Sequence, residues 1–166
     1  MQTLNVKTDQ RTQLVDVTAQ VQKAVASSGV AEGICYLYVP HTTAAITINE
    51  CADPDVARDV EGLLDRLVPV TGPYRHSEGN SDSHVKAALV GTSQIVFVKS
   101  GKLNLGRWQG VFFCEFDGPR DRKLHVKVLA DHRSAEMFRF GAGIAVEYGA
   151  FFFISILRYE DAGVEP

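Results

Sequence analysis

The sequence predicts a single α+β domain in which two longer helices and one short helix pack on a mostly antiparallel sheet or sandwich. Apolar residues recur at helical spacing in residues 18–28 and 54–67, and short apolar runs bounded by turn residues lie around them. Short links between neighbouring runs favour antiparallel pairing. With 166 residues and 45% hydrophobic content, the chain can fill one core and is too short for two ordinary domains.

The two longer helices are identified by their apolar stripes and their end signals. The first follows Thr18 and stops at Gly29, and its expected buried face consists of Val17, Val21, Ala24, Val25 and Ser28. In the second, Asp53 is the expected N-cap and Pro54 the first helical residue. That helix is expected to bury a full stripe against a sheet, made of Val56, Val60, Leu63, Leu64 and Leu67.

Strands are predicted where apolar residues alternate or run together between turn signals. Two short strands are expected within residues 1–17, and further strands in residues 33–39, 43–49, 94–98, 111–116 and 123–129. Binding groups are therefore expected at the links between strands, because loops at strand ends commonly carry them.

Charge and cysteine usage narrow the function classes. The formal net charge of -3 is spread along the chain without a basic stripe, so no nucleic-acid partner is expected. The three cysteines, Cys35, Cys51 and Cys114, form no CxxC motif, which indicates free thiols in a reducing compartment. The N-terminus has no secretory signal pattern, so a cytoplasmic location is predicted.

Candidate site residues lie at the ends of the two strands that flank residues 40–42. His41 is followed by two hydroxyl side chains, Thr42 and Thr43, and could face a ligand, although a lone histidine is more often structural. Glu50 ends the next strand and does not belong to the following helix. It is therefore a candidate for general acid/base chemistry or for orienting a histidine.

A second candidate segment places His76, Glu78 and Asn80 ahead of the short helix. That helix is expected to start with Ser81 or Ser83 as N-cap and to end at Gly91. Its predicted apolar face consists of Val85, Ala88 and Leu89.

His84 then lies in the first turn of this short helix. The helix dipole favours its neutral form there, and a neutral imidazole can bind a metal or polarise a phosphate or carbonyl group.

A third segment contributes a loop between two strands. Lys102, Trp108 and Gln109 lie in this loop and are predicted to bind substrate. The alternative for Trp108 is that it simply caps the core.

These motifs, taken in order, resemble the YjbQ family, also called UPF0047. The resemblance covers residues 1–130 and rests on HTTAAITINE at 41–50, HSEGN at 76–80, GKLNLG at 101–106, WQG at 108–110 and EFDGPR at 115–120. It implies a small homotrimeric α+β protein, with weak thiamine-phosphate synthase activity in some members and a metal or an anion at the polar site in others. Residues 131–166 form a C-terminal extension that is atypical of the family, and they are expected to add a strand or a subunit contact.

Three functions are therefore considered. The first is a thiamine-phosphate synthase-like transferase activity, expected as a secondary activity because neither a glycine-rich phosphate loop nor an Asp-rich magnesium motif is present. It assigns catalysis to His41, Glu50 and His84. It assigns binding of the substrate, a small phosphorylated metabolite, to Thr42, Thr43, Glu78, Asn80, Lys102, Trp108 and Gln109.

The second is a metal-assisted hydrolase or lyase, in which His41, His76 and His84 hold a divalent ion and Glu50 or Glu78 moves the proton. Zinc or magnesium is the expected metal, and no nucleotide cofactor is expected. The third is a non-catalytic trimeric module that binds a phosphorylated metabolite. No membrane partner is expected, because the apolar part of the extension is interrupted by Glu147.

Overall fold

The computed structural model describes residues 1–131, so the expectations for the C-terminal extension fall outside the described residues. Residues 1–130 form one compact unit. Its strands are β1 (Gln2–Lys7), β2 (Gln13–Asp16), β3 (Gly33–Tyr38), β4 (Ala44–Glu50), β5 (Ser93–Lys99), β6 (Lys102–Leu103), β7 (Gln109–Glu115) and β8 (Asp121–Ala130). Its helices are α1 (Thr18–Ser27), α2 (Pro54–Leu67) and α3 (Ser81–Val90).

The strands form two antiparallel sheets, which confirms the predicted fold class. One sheet has the order β1-β8-β3-β5-β6 and the other the order β2-β7-β4. Side chains from both sheets and from α1 share one apolar cluster, which includes Leu37, Ile46, Phe113 and Leu124. The core therefore lies between the sheets, and the strand ends remain at its two rims.

Helix α1 is buried much as predicted. Val17, Val21, Ala24 and Val25 are all buried, whereas Ser28 is exposed. Asp16 supplies the capping contact at the N-terminus, because its Oδ1 accepts hydrogen bonds from the backbone N–H and the hydroxyl of Thr18. Within residues 1–131, no helix is long and apolar enough to span a membrane.

The predicted burial of α2 is wrong, although its start is correct. Asp53 caps the helix by accepting a hydrogen bond from the N–H of Asp55, and Pro54 is the first helical residue. However, α2 has no fully buried residue, and Leu63 and Leu67 are 58% and 65% exposed. Val56, Val60 and Leu64 of the predicted stripe are half-buried, and Leu64 packs on a small second cluster.

Helix α3 buries the face that was predicted to be exposed, and it exposes the face that was predicted to be buried. Val85 and Leu89 of the predicted apolar face are exposed, and the buried side chains of this helix are Ser81, Asp82, Ser83, Lys86 and Ala87. The N-cap position is Asn80 and not a serine, whereas Gly91 ends the helix as expected with a φ of 94°. Ion pairs described below account for this orientation.

The five-stranded sheet exposes a set of large apolar side chains on the side away from the core. We call this the outer apolar face, and it consists of Tyr36, Tyr38, Ile95, Phe97 and Leu129. Tyr36 lies directly opposite Ile95, and Ile34 lies between Phe97 and Leu129, so these side chains are neighbours. A contiguous apolar surface of this kind commonly marks an interface.

Candidate functional site

The loop of residues 40–43 meets the end of β7 because β4 and β7 are paired antiparallel. Ala44 lies opposite Glu115, and the N–H of Phe116 donates to the carbonyl of Thr43. We call the region formed by residues 40–43, 80–84 and 115–123 the His41 end. Buried charged residues are concentrated there.

A buried ion pair forms the base of the His41 end. Glu115 is 0% exposed, and Arg122 donates to both of its carboxylate oxygens, with 2.7 Å between Nε and Oε2. The Thr8 hydroxyl and two backbone N–H groups complete the hydrogen bonds to this carboxylate. Arg122 also donates to the Thr43 hydroxyl oxygen at 2.9 Å. The pair therefore fixes the position of Thr43 in the loop.

His41 is held in one tautomer. Its Nε2 accepts a hydrogen bond from the backbone N–H of Lys123 at 2.9 Å, which places the imidazole proton on Nδ1. Burial, followed by the positive charge of Arg122, lowers the pKa of His41 below its ordinary value of 6.5. His41 is thus a neutral hydrogen-bond donor through Nδ1 near pH 7.

Asp117 organises the turn between β7 and β8. Its carboxylate accepts hydrogen bonds from Asn80 at 3.0 Å and from Arg120 at 2.8 Å, and Arg11 lies 3.7 Å away. Burial acts to raise the pKa of Asp117, but these hydrogen bonds and the two arginines outweigh it and lower the pKa. Gly118 is required in this turn, because a Cβ there would lie 2.3 Å from the carbonyl oxygen of Gln10.

The first helical turn of α3 packs against the loop between β7 and β8. The Ser83 hydroxyl donates to the carbonyl of Phe116, which anchors α3 at the end of β7. His84 lies beside His76, with the ring centroids 5.3 Å apart in an edge arrangement. His76 also lies 3.8 Å from the exposed carboxylate of Glu78. His76 and Glu78 therefore stand next to His84 at the border of the His41 end.

The three predicted metal ligands, His41, His76 and His84, are not brought together within the described part of one chain. Among residues 1–131, no group of three or more His, Cys, Asp or Glu side chains has a geometry that could hold a metal ion. His76 and His84 are neighbours, but His41 does not complete a set with them. Its Nε2 lone pair accepts the Lys123 N–H and its Nδ1 carries the proton, so neither nitrogen offers a lone pair to a metal.

Four of the predicted site residues lie at the opposite end of the sandwich. Glu50 is paired with Gln109, six residues along β4 from Ala44, which corresponds to about 20 Å at ~3.3 Å per residue. Trp108 precedes Gln109, and Lys102 lies beside Lys99 at the far end of β5. Within one chain, therefore, Glu50, Lys102, Trp108 and Gln109 do not converge with His41.

Two clefts are lined by residues outside the His41 end. One has a volume of about 510 Å³ and shares Asp16 and Cys51 with a neighbouring cleft. The other residues that line the first cleft are Thr18, Ala19, Gln22, Leu103 and Leu105. Gln22 and Thr18 are already hydrogen-bonded to the protein. We therefore place the polar chemistry at the His41 end, where donors remain available.

Sequence reasoning missed Arg122, Glu115 and Asp117 as site residues. The signal for Arg122 was present, because the alternation of Leu124 and Val126 extends back to position 122 on the buried face. An arginine at an inward position needs a buried acceptor. Glu115, at the end of the apolar strand β7, supplies it.

Comparisons with known proteins agree with this fold and its extent. A family model described as UPF0047 protein YjbQ-like matches residues 2–131. A UPF0047 protein of Methanocaldococcus jannaschii is 52% identical over 76% of this chain and 91% of its own length. The UPF0047 protein YugU of Bacillus subtilis is 45% identical over 78% of this chain and 98% of its own.

Crystal structures of two further proteins superpose on this chain. A conserved protein of the YjbQ/UPF0047 family from Clostridium acetobutylicum has 52% identity and a TM-score of 0.77, and covers 78% of this chain and 100% of its own. A conserved hypothetical protein from Thermus thermophilus has 43% identity and a TM-score of 0.73, with the same coverage.

Proposed function

Because the chain belongs to the YjbQ-like UPF0047 family, we propose from its geometry that it binds a small phosphorylated metabolite at the His41 end. The observation that carries this proposal is the hydrogen bond from the Lys123 N–H to His41 Nε2, which leaves the Nδ1 proton for a ligand. Phosphate oxygens are acceptors, so a site for them needs donors.

A neighbouring hydroxyl adds to this donor set. Thr43 is buried and its hydroxyl oxygen accepts from Arg122, so it supports the loop from inside. The hydroxyl of Thr42 is exposed. His41 and Thr42 therefore offer two neutral donors from one short loop.

An exposed arginine at the His41 end also favours an anion. Arg122 is taken up by Glu115, and Arg11 by Asp82 and Asp117. Arg120 contacts Asp117, but about half of its side chain is exposed to a ligand. Its planar guanidinium suits a phosphate group.

We place group transfer second to binding. In a thiamine-phosphate synthase-like reaction, a pyrimidine pyrophosphate is joined to a thiazole phosphate and pyrophosphate leaves. The departing pyrophosphate gains negative charge, and donors fixed before the reaction stabilise such charge without reorganising. His41 and Arg120 would perform that role. The sequence has neither a glycine-rich phosphate loop nor an Asp-rich magnesium motif, so transfer remains a secondary capacity of the site.

Binding can be tested by calorimetry on the full chain with inorganic phosphate, pyrophosphate and thiamine phosphate. His41→Ala and Arg120→Gln should each lower the affinity about tenfold, the loss expected for one charge-assisted hydrogen bond. Arg58→Gln is the matched control for Arg120→Gln, because Arg58 is exposed and pairs with Asp55 on α2, away from the His41 end.

Equal affinities in wild type and both site variants would contradict the proposal, as would the absence of binding in the wild type. Chromatography of the products after incubation with the pyrimidine pyrophosphate and the thiazole phosphate then decides whether the bound ligands react.

The assembly proposal concerns the outer apolar face. We propose that this face is covered by further copies of the chain in a homotrimer, since exposed Ile95 and Phe97 at 56% and 67% would otherwise meet water. Light scattering should give three times the chain mass for the wild type and a smaller mass for Phe97→Glu. Val70→Glu, which changes an exposed apolar residue outside this face, should leave the mass unchanged. A wild-type monomer at micromolar concentration would refute the proposal.

A further inference from the structure

A line of alternating charges runs from the surface of α2 to the His41 end. Lys86 is 0% exposed and lies 2.6 Å from Asp65 on α2 and 3.0 Å from Asp82 in its own helix. Asp82, also 0% exposed, accepts from Arg11 at 2.9 Å, and Arg11 lies 3.7 Å from Asp117. We call these residues, Asp65, Lys86, Asp82, Arg11 and Asp117, the charge line.

The charge line decides which face of α3 is buried. Burial of apolar side chains alone would turn Val85 and Leu89 inward, yet they are 41% and 59% exposed while Lys86 is fully buried. A buried lysine loses its hydration and is tolerated only with partners in good geometry. Lys86 finds those partners in Asp82 and Asp65, so these ionic contacts, together with the burial of the small Ala87, set the rotation of α3 about its axis.

This rotation places the residues of the proposed site. Asn80 precedes the first turn of α3 and donates to Asp117, which in turn holds the Arg120 guanidinium at 2.8 Å. Ser83, in the same turn as Asp82, is bonded to the carbonyl of Phe116. A rotation of α3 would break the contacts of Asn80 and Ser83 together, and Asp117 would then hold Arg120 without the support of Asn80.

We infer that Lys86 is a positioning residue for the anion site: with Asp82 it fixes the rotation of α3, and through Arg11 and Asp117 it holds Arg120 in place. The inference rests on the proposed function. Lys86 itself, being fully buried, does not contact the ligand. Buried ion pairs are weak contributors to stability but can specify one arrangement over others, which is the role assigned to this pair.

The experiment separates positioning from stability with a double variant of the full chain. Lys86→Met alone leaves Asp82 buried without its lysine and should lower the melting temperature. Asp82→Asn combined with Lys86→Met removes both charges and should recover much of that loss. The double variant should nevertheless bind pyrophosphate about tenfold more weakly than the wild type, because Arg11 and α3 lose their fixed partners. Asp59→Asn, which removes an exposed carboxylate of α2 outside the charge line, is the matched control and should keep the wild-type affinity.

A second readout does not depend on ligand binding. The rings of His76 and His84 are in contact in the wild type, so their protons should show a nuclear Overhauser effect that is lost in the double variant. A double variant that binds pyrophosphate like the wild type and keeps this effect would overturn the inference.

If the wild type binds no anion, the proposed function fails. Loss of the effect in the double variant would then still show that the ion pair orients α3, and its persistence would refute that.

Discussion

Removing Arg122 is the sharpest test of the buried ion pair. In Arg122→Met, the fully buried Glu115 carboxylate loses the guanidinium hydrogen bonds to both of its oxygens. The donors that remain are the Thr8 hydroxyl and two backbone N–H groups. Removing one partner of a buried pair costs about 3–5 kcal/mol, because the other charge is left uncompensated. We therefore expect the free energy of unfolding, measured by urea titration at pH 7 and fixed protein concentration, to fall by about that amount.

A double variant shows whether the charge itself is responsible. Glu115→Gln keeps an acceptor for Thr8 and the backbone N–H groups but removes the negative charge. When it is combined with Arg122→Met, the protein should be at least about 2 kcal/mol more stable than Arg122→Met alone. A loss below about 1 kcal/mol for Arg122→Met, or no recovery in the double variant, would refute the account of this pair.

The fold class could be predicted from the sequence, because in the elements that form the core the apolar spacing, the end signals and the observed burial agree. In α1, spacing and end signals point to one buried face, and that face is buried. The prediction failed for α2 because amphipathic spacing shows that an apolar stripe exists and not what covers it. Leu63 and Leu67 are exposed within the described residues, so their spacing had no bearing on the core of the unit.

The site was harder to predict, because it depends on which strand ends meet. The sequence identified His41, Thr42, Thr43, Asn80 and His84, which do lie at one end of the sandwich. It also grouped Glu50 and Trp108 with them. The sequence shows where a strand ends, but only the strand pairing shows at which end of the sandwich that strand end lies.

The apolar spacing of α3 could not predict which of its faces is buried, and the reason is different. The partners of Lys86 and Asp82 include Asp65 and Arg11, which are 21 and 71 residues away from them in the chain. These long-range ion pairs outweigh the local apolar pattern of Val85 and Leu89. They cannot be inferred from the spacing of apolar residues within the helix. Polar residues in a helix next to a candidate site therefore need long-range partners to be interpreted.

Two further predictions concern stability. Leu64→Ala should cost about 1–2 kcal/mol in a urea titration, less than a fully buried leucine would, and the exposed Leu63→Ala should change it by no more than about 0.5 kcal/mol; equal losses would contradict the orientation of α2. The second prediction is a pH dependence. Folding lowers the pKa of His41 below 6.5 and that of Asp117 below 3.8. In each case the unfolded chain takes up the proton first as the pH falls, so stability is present above the ordinary pKa and is lost between it and the folded value. Urea midpoints measured from pH 7 downward should therefore begin to fall just below pH 6.5 and fall again below pH 3.8. His41→Gln, which can still accept the Lys123 N–H, should remove the first decline, and Asp117→Asn should reduce the second. If His41→Gln and the wild type decline in parallel between pH 7 and pH 5, about the range of histidine titration, His41 is not held neutral by the fold.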